Sequence, residues 1–422
     1  MKELISKYTK SRGFIKLLLL IFSVQIVLTT GCAEKEIPSL FDPNATGKPK
    51  PVISAIEPAA GGISGVTVIT INGQNFSSVL EENTVLFNSN PGTILEASPT
   101  RLVVKAANIA PGSDTANIKV RVLGALEFSD TAKYILQQAY LPVFPFKDFE
   151  EPSAMEFDNQ GNLYISLLAN QATNNIMKLT PQGVMTKYTP DIGGGLRYSV
   201  LRFFNGKLYG FRNQQRAIWE ITEGVAAANF LALGTGSTRI IDMDFNQNGF
   251  MYAAGNNGTG ANFIYRVEMS NKAVATFPFP YSVRAMRVYN NNLYIGVSVD
   301  SSARIYKMAI DASNNLGTEE LFFDFTATYG FNVQINNITF DADGVLYAAT
   351  NLPDPIIKIT QSGQAEALYP GVFEPYPALF FSWDNGQNLY YVRSTVVQGT
   401  TIIPQNAFAI RVMKSGAPYY GR

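Results

Sequence analysis

Short runs of alternating apolar and polar residues recur along this chain, and turns rich in Gly, Asn and Asp separate them. The stretch FDNQGNLYIS (157–166) is typical of strand, turn and strand, because apolar runs flank a cluster of turn-forming residues. Similar stretches follow at 204–211, 245–254, 289–297, 340–350 and 383–392. The pattern predicts an all-β chain with an internal repeat.

A tyrosine after each turn measures the period of this repeat. The tyrosines lie 45, 43, 42, 53 and 43 residues apart, at Tyr164, Tyr209, Tyr252, Tyr294, Tyr347 and Tyr390. Each copy then has a second apolar run with a charged residue in third place, from IMKL (176–179) to AIRV (409–412). A half-buried strand gives such a pattern, because side chains alternate across the pleat. A repeat of about 43 residues cannot bury its own faces, so six copies around an axis predict a six-bladed β-propeller over 137–422.

The first copy, PSAMEFDNQGNLYISLLANQATNNIMKLTPQG (152–183), closely resembles the NHL repeat. The propellers of the SMP-30 and lactonase type are near relatives of that repeat and have six blades. The sixth copy leaves little room for an outermost strand, so we predict that AYLPVFPF (139–146) supplies it from the N-terminal side.

Residues 51–136 show a different pattern of short strands. Pro-bounded alternation opens the segment, and strand-like runs follow at TVLFN, RLVVKAA and NIKVRVLG. This spacing predicts an immunoglobulin-like β-sandwich. The opening motif I-x-x-I-x-P-x-x-G (53–61), followed by a V-x-I-x-G-x-x-F type motif from about Ile69, which stands in the place of the Val, to Phe76, resembles the IPT/TIG family. The resemblance implies a spacer or docking unit.

The N-terminal segment has the pattern of an export signal. Five basic residues and one acidic residue give residues 1–31 a net charge of +4, and an apolar stretch covers 17–28. Twelve residues are too few to span a bilayer, for which about 20 are needed. The sequence LTTGC, which ends at Cys32, resembles a bacterial lipobox, with Thr29 where Leu is usual. The resemblance implies a signal peptide (1–31) and a lipidated Cys32; the alternative is an ordinary secretory signal with an incidental cysteine.

Residues 32–50 are polar and rich in proline, which predicts a flexible tether. Glu34 and Glu36 beside Cys32 resemble the short signal that sends lipoproteins of Bacteroidota to the outer face of the outer membrane. We therefore expect an outer-membrane lipoprotein that faces the outside and touches the membrane only through its lipid.

The amino-acid composition limits the kinds of catalytic and metal sites that the chain can form. The chain of 422 residues contains no histidine and one cysteine, so imidazole-activated nucleophiles, histidine zinc sites and intrachain disulfides are excluded. Catalysis would have to use carboxylates, Lys, Tyr or an oxygen-ligated cation such as calcium. The formal charge is zero overall, hence −4 after residue 31, and this gives no electrostatic reason to bind nucleic acid.

The loops before each first strand and between each second and third strand should lie at one end of the propeller, which we call the rim. The candidate ligand-binding side chains of the rim are Arg197, Tyr198, Arg239, Tyr281, Arg284, Phe331 and Tyr376. Aromatic faces beside guanidinium and amide groups suit a neutral, hydroxyl-rich ligand such as a sugar. The alternative is that Asn and Gly only form turns and that the tyrosines only fill loops.

Glu151 is the one position that suggests a metal. The stretch EEPSAMEFD (150–158) resembles the opening of SMP-30-like lactonases, in which a Glu binds a divalent cation. Here the Gly that precedes proline in that family is absent, and the later ligands have no counterparts. We therefore predict no metal and no catalytic residue.

These patterns support three hypotheses. The first is a non-catalytic accessory protein that binds glycan, or docks onto an outer-membrane transporter complex, through the rim. Lipoproteins of this layout resemble accessory components of Sus-type (SusC/SusD-like) polysaccharide uptake systems. The second is a carboxylate- or calcium-dependent hydrolase or lactonase in the propeller channel. The third is an adhesion scaffold that contacts other proteins.

Overall fold

Alternating burial along the strands reproduces the alternation in the sequence. In the strand Thr115–Val122, for example, every second side chain is buried and the intervening ones are exposed. The computed structural model describes residues 47–422 except 110–111, 113, 170–172, 195 and 214. The predicted signal peptide, Cys32 and most of the tether lie outside the described residues. Within those ranges, no helix has the length and hydrophobicity needed to cross a bilayer.

The N-terminal domain is a β-sandwich, which confirms the immunoglobulin-like prediction. One sheet has the order β1-β3-β7-β6 and the other β2-β9-β8-β4-β5, and residues such as Ile71, Phe87 and Ile118 fill the space between them. A 3-10 helix (Leu80–Glu82) precedes β4. The strands are β1 (Val52–Glu57), β2 (Gly62–Ile63), β3 (Val68–Gln74), β4 (Asn83–Phe87), β5 (Asn90–Pro91), β6 (Thr93–Ser98), β7 (Arg101–Lys105), β8 (Thr115–Val122) and β9 (Ala132–Gln137).

Six four-stranded sheets follow in the described part of the chain, and they are the blades of a propeller. Blades one to three contain β11 (Glu150–Phe157), β12 (Leu163–Ala169), β13 (Thr173–Leu179) and β14 (Met185–Lys187); β15 (Tyr198–Phe204), β16 (Lys207–Arg212), β17 (Ala217–Ile221) and β18 (Ala228–Ala232); and β19 (Arg239–Phe245), β20 (Phe250–Asn256), β21 (Asn262–Glu268) and β22 (Val274–Phe279).

Blades four and five contain β23 (Ser282–Tyr289), β24 (Asn292–Val299), β25 (Ser302–Ile310) and β26 (Leu316–Asp324); and β27 (Ile335–Phe340), β28 (Leu346–Thr350), β29 (Ile356–Ile359) and β30 (Ala365–Ala367). A short helix, α1 (Phe325–Tyr329), joins these two blades, and the Asp324 carboxylate caps it by accepting from the N–H groups of Thr326 and Ala327.

Blade six closes the ring with a strand from the N-terminal side. It consists of β31 (Ala378–Trp383), β32 (Asn388–Arg393), β35 (Asn406–Arg411) and β10 (Tyr140–Pro142), and a separate hairpin of β33 (Val396–Gln398) and β34 (Thr401–Ile403) lies between β32 and β35. Tyr140 pairs antiparallel with Ile410. The innermost strands of neighbouring blades contact one another around the whole ring, including β31 with β11. The predicted latch from 139–146 is therefore confirmed, and the strand itself covers three of its residues.

The strand register confirms the repeat in five blades and corrects it in the sixth. In blades one to five, the periodic tyrosine of the second strand lies opposite the charged residue of the third, as Tyr164 lies opposite Lys178. In blade six, Tyr390 lies opposite Ala409, and Arg411 pairs with Asn388. The alignment of AIRV (409–412) with the other copies was wrong by two residues, because blade six has no charge at that position.

Each innermost strand carries an irregularity against its second strand, at the same relative place in all six blades. In blade four, for example, the register shifts between Val283 and Ala285, so that Arg284 has no partner in the ladder. A bulge of this kind bends the strand and redirects the side chains that flank it. The bulges therefore separate the loop-bearing end of each inner strand from the part that lines the channel.

Candidate functional site

Three of the seven predicted side chains of the rim are exposed to solvent. Phe331 follows α1 and is 69% exposed. Arg284 is exposed at the bulge of β23, and Arg239 is exposed at the first position of β19. Because every first strand of the ring starts at this end, these residues share one face of the propeller.

Tyr198 is a correction to the predicted site. Its side chain is completely buried at the start of β15, and its hydroxyl oxygen accepts a hydrogen bond of 3.2 Å from Arg212. Burial raises the pKa of Tyr198 above its usual value. The interpretation of Tyr198 as an exposed stacking surface was wrong, because the bulge that follows turns this position into the core.

The remaining predicted residues are half-buried and engaged with protein groups. Arg197 donates to Glu151 over 3.1 Å. Tyr281 stacks on Tyr306 with 4.6 Å between ring centroids, and the Tyr376 hydroxyl accepts from Gln398 over 3.1 Å. One edge or face of each of these rings remains at the surface.

Sequence reasoning missed an apolar feature on the rim. The long loop between β32 and β35 folds into the β33–β34 hairpin, which leaves Val397 67% and Ile402 66% exposed. Two β-branched runs around Gly399 (TVVQGTTII) were the available signal, because such runs on either side of a turn predict a hairpin. Exposed apolar patches mark contact surfaces for other molecules, and this hairpin adds two adjacent aliphatic side chains to the rim.

The central channel is filled by charged side chains that sequence reasoning did not single out. The inner strands contribute alternating charges in one layer: Glu156 from blade one, Arg202 from blade two, Asp244 from blade three and Arg287 from blade four, all almost completely buried. Arg287 donates to Asp244 over 2.6 Å, and Arg202 donates to Glu156 over 3.3 Å. The available signal was a charged residue one or two positions before the end of each of these four inner strands, as in MEF, RFF and MDF.

Burial and neighbouring charges shift the pKa values of the channel side chains in opposite directions. Burial raises the pKa of Asp242 to about 6, although Arg202 and the backbone N–H groups of Met243 and Met286 favour the ionised carboxylate. Burial alone would lower the pKa of Arg202, but Glu156, Asp242 and Asp244 together raise it above the usual value. Arg202 therefore stays charged, and ion pairs between the arginines and the carboxylates stabilise the channel layer.

The segment after β35 closes the channel at the end opposite the rim. Arg422 reaches the channel layer, where Nε donates to Glu156 over 2.9 Å and Nη2 donates to the carbonyl oxygen of Trp383 over 3.0 Å. The Tyr419 ring lies between the guanidinium groups of Arg287 (3.6 Å to the ring centroid) and Arg422 (4.0 Å). The gap that remains beside Arg202 and Asp242 has a volume of about 10 Å³, which is room for about one water molecule.

Larger cavities lie outside the channel. A cleft of about 470 Å³ separates the sandwich from blade six and is lined by Asn90, Asn108, Gln138, Tyr140, Glu374 and Arg393. A groove of about 380 Å³ lies beside blade five, where Lys358 pairs with Glu366 and Lys414 with Asp343. Among the described residues, no group of three or more Asp, Glu, His or Cys side chains is arranged to hold a metal ion. Glu151, the position that resembles a metal ligand, pairs with Arg197 instead.

Fold and register together define a class: an immunoglobulin-like sandwich followed by a six-bladed propeller. Residues 51–134 match the IPT/TIG domain family, so the sandwich is an IPT/TIG domain. None of the curated proteins matches the chain.

Several solved structures are similar to this chain. A putative phosphatase from Bacteroides thetaiotaomicron has 10% identity and a TM-score of 0.52, over 81% of this chain and 94% of that one. A luciferin-regenerating enzyme has 16% identity and a TM-score of 0.51, over 66% of this chain and 98% of that one. An auxiliary nutrient binding protein from Bacteroides thetaiotaomicron has 12% identity and a TM-score of 0.47, over 87% and 98%. The two likenesses with TM-scores above 0.5 show a shared fold.

Proposed function

We propose that this protein is a non-catalytic, lipid-anchored accessory protein of the outer membrane, which binds glycan at its surface as part of a Sus-type nutrient uptake system. The observation that carries the proposal is the filled channel. Its buried carboxylates are paired with arginines, and Tyr419 and Arg422 occupy the end opposite the rim. A hydrolase or lactonase in the channel would need space for a substrate beside a free acid. Among the described residues, the channel carboxylates pair with arginines, and the gap beside Arg202 and Asp242 measures only about 10 Å³.

The chemistry of the rim supports binding of a neutral ligand. Phe331 offers an exposed aromatic face, while Arg239 and Arg284 add guanidinium donors on the same end of the propeller. Planar apolar groups beside hydrogen-bond donors match the two surfaces of a sugar ring. The binding side therefore faces away from the end that the C-terminal segment closes.

A retardation experiment tests this proposal. We expect the wild-type protein to be slowed in native gels that contain a soluble polysaccharide, and a Phe331→Ala, Arg239→Ala, Arg284→Ala triple variant to migrate faster in the same gel. A matched triple variant on the exposed face of the sandwich, Phe128→Ala, Arg121→Ala, Lys119→Ala, should migrate as wild type. Wild-type protein that is not retarded by any polysaccharide of a broad panel would overturn glycan binding.

The lipid anchor at Cys32 is proposed from the sequence alone, because Cys32 lies outside the described residues. A Cys32→Ser variant should leave the membrane fraction and lose its partition into detergent; a variant that remains membrane-bound would contradict the anchor.

Docking onto a transporter is a second candidate function, and the β33–β34 hairpin favours it. Its exposed Val397 and Ile402 form an aliphatic surface without an evident role in the fold of the blade. A Val397→Ser, Ile402→Ser variant should lose co-purification with the uptake complex while it keeps its retardation by polysaccharide. Loss of polysaccharide retardation alone would assign the hairpin to ligand binding instead.

A further inference from the structure

The cleft between the sandwich and blade six has preformed walls. The linker from β9 to β10 is two residues long, and the N–H of Arg411 in β35 donates to the carbonyl oxygen of Ala139 within it. Across the junction the two domains touch, since a Cβ on Gly65 would lie 2.9 Å from the Val372 side chain. A short, hydrogen-bonded linker and direct contact hold the two domains in one arrangement. The cleft is therefore formed without a movement of one domain towards the other.

The size of the cleft suits a small ligand. Its volume of about 470 Å³ lies within the range of roughly 300–1,000 Å³ that is usual for small-molecule sites, and such sites occur preferentially at domain interfaces. By comparison, the channel gap of about 10 Å³ admits no ligand. The cleft thus offers a volume for a ligand, whereas the gap beside Arg202 and Asp242 does not.

The charges in the cleft cancel. Arg393 is almost completely buried; its guanidinium donates to Glu374 and, over 2.7 Å, to the carbonyl oxygen of Pro404. The Glu374 side chain is 46% exposed, so part of its carboxylate remains open to the cleft as an acceptor. Because Arg393 neutralises the charge of Glu374, this carboxylate can accept hydrogen bonds from hydroxyl groups without attracting a cation strongly.

Amides and aromatic rings complete the lining. Asn108 is exposed beside the cleft, its Oδ1 lies 3.3 Å from the Ser64 hydroxyl, and its N–H₂ group supplies donors to the lining. Asn90 contributes a second half-buried amide from β5. Tyr140 is half-buried and packs edge-on against Phe408 at 5.4 Å between ring centroids. The lining thereby combines donors, acceptors and an aromatic surface, and its net charge is zero.

We propose that this cleft is a binding site for a neutral, hydroxyl-rich ligand, namely a sugar unit of a glycan, held by residues of both domains. The inference rests on the proposed glycan binding and extends it by a site that lies apart from the rim. Asn108 of the sandwich donates to the sugar, Glu374 of the propeller accepts from it, and Tyr140 supports its apolar face. The IPT/TIG domain then contributes to recognition as well as to spacing.

The test compares cleft and rim variants on a polysaccharide that retards the wild-type protein. Asn108→Ala removes a donor, and Asn108→Trp fills the cleft from an exposed position. We expect each to weaken the apparent Kd at least about tenfold, with the larger loss for Trp. Asn159→Ala, at an exposed asparagine in a turn of blade one, serves as the matched control and should bind as wild type. Unchanged melting temperatures show that the variants are folded.

The outcomes separate the two proposals. Wild-type affinity in both cleft variants, together with weakened binding in the rim triple variant, would overturn the cleft site and leave the proposed function standing. Weakened binding in the cleft variants, with wild-type behaviour of Asn159→Ala, supports the cleft. Wild-type protein that binds no polysaccharide would overturn the proposed function and the cleft with it.

Discussion

The central channel and the cleft between the domains both contain an arginine paired with a carboxylate, but the surroundings of the two pairs differ. In the channel, Arg287 and Asp244 are almost completely buried, and neighbouring charges and Tyr419 cover them. In the cleft, Arg393 is buried while nearly half of Glu374 is exposed beside a cavity of about 470 Å³. An ion pair that is enclosed on all sides stabilises the fold, whereas a pair with one exposed partner can also bind a ligand.

Removal of one carboxylate from each region should give the largest difference in stability between the channel and the cleft. Glu156→Ala leaves Arg202 and Arg422 as buried charges without their main partner, so the free energy of unfolding should fall by about 3–5 kcal/mol. Glu374→Ala should cost about 1 kcal/mol, because water in the cleft can solvate Arg393 in its place. Urea denaturation measures both values, and equal losses would contradict the distinction between the two pairs.

Tyr419 tests whether the segment after β35 is an integral part of the channel. Tyr419→Ala should lower the free energy of unfolding by roughly 3 kcal/mol, since the ring separates two guanidinium groups. Tyr419→Phe keeps the ring and should cost about 1 kcal/mol, through loss of the hydroxyl oxygen that accepts from the backbone N–H of Trp383. A small effect of the alanine variant would mean that the segment covers the channel without supporting it.

The pH dependence of stability gives a further test of channel burial. The pKa of Asp242 is about 6 in the folded protein and 3.8 in a solvated chain, so between these values the folded state holds a proton that the unfolded state lacks. Stability from this group is therefore present below pH 3.8 and is lost as pH rises through about 6, by up to about 3 kcal/mol.

Measurement of the free energy of unfolding from pH 4 to 7 in wild type and in Asp242→Asn isolates this contribution. The variant lacks the titrating group, so its curve should fall less steeply with pH than that of wild type. Parallel curves would show that Asp242 has an ordinary pKa and that the channel layer is hydrated.

Substitution of Gly421 tests how closely the C-terminal segment packs at the closed end of the channel, and its expected effect is smaller. A Cβ at this position would lie 1.9 Å from the carbonyl oxygen of Phe203, so Gly421→Ala must displace the backbone and should cost about 1–3 kcal/mol. Gly193→Ala is the matched control, because nothing lies within 4 Å of the added carbon and no positive φ opposes it. Equal unfolding midpoints in the two variants would show that the segment shifts freely.

The number of blades, the sandwich before them and the latch strand could be predicted from the sequence alone. The reason is that strands impose a period of two and each blade repeats one supersecondary unit, so local patterns carry this information. Tyrosine positions such as Tyr164 and Tyr347 therefore marked the second strands correctly in all six blades. The rim as a set of loops at one end followed from the same topology.

Which of these side chains are exposed to a ligand depends on the folded chain and could not be predicted from local patterns. Tyr198 is buried because a bulge redirects it, and a bulge leaves no distinct mark in a single sequence. The channel layer joins Glu156 to Arg422 across 266 positions, and the cleft joins Asn108 to Glu374 across two domains. Pairs so distant in the chain meet through ring closure and domain packing, and these depend on the sum of many contacts and not on any local pattern.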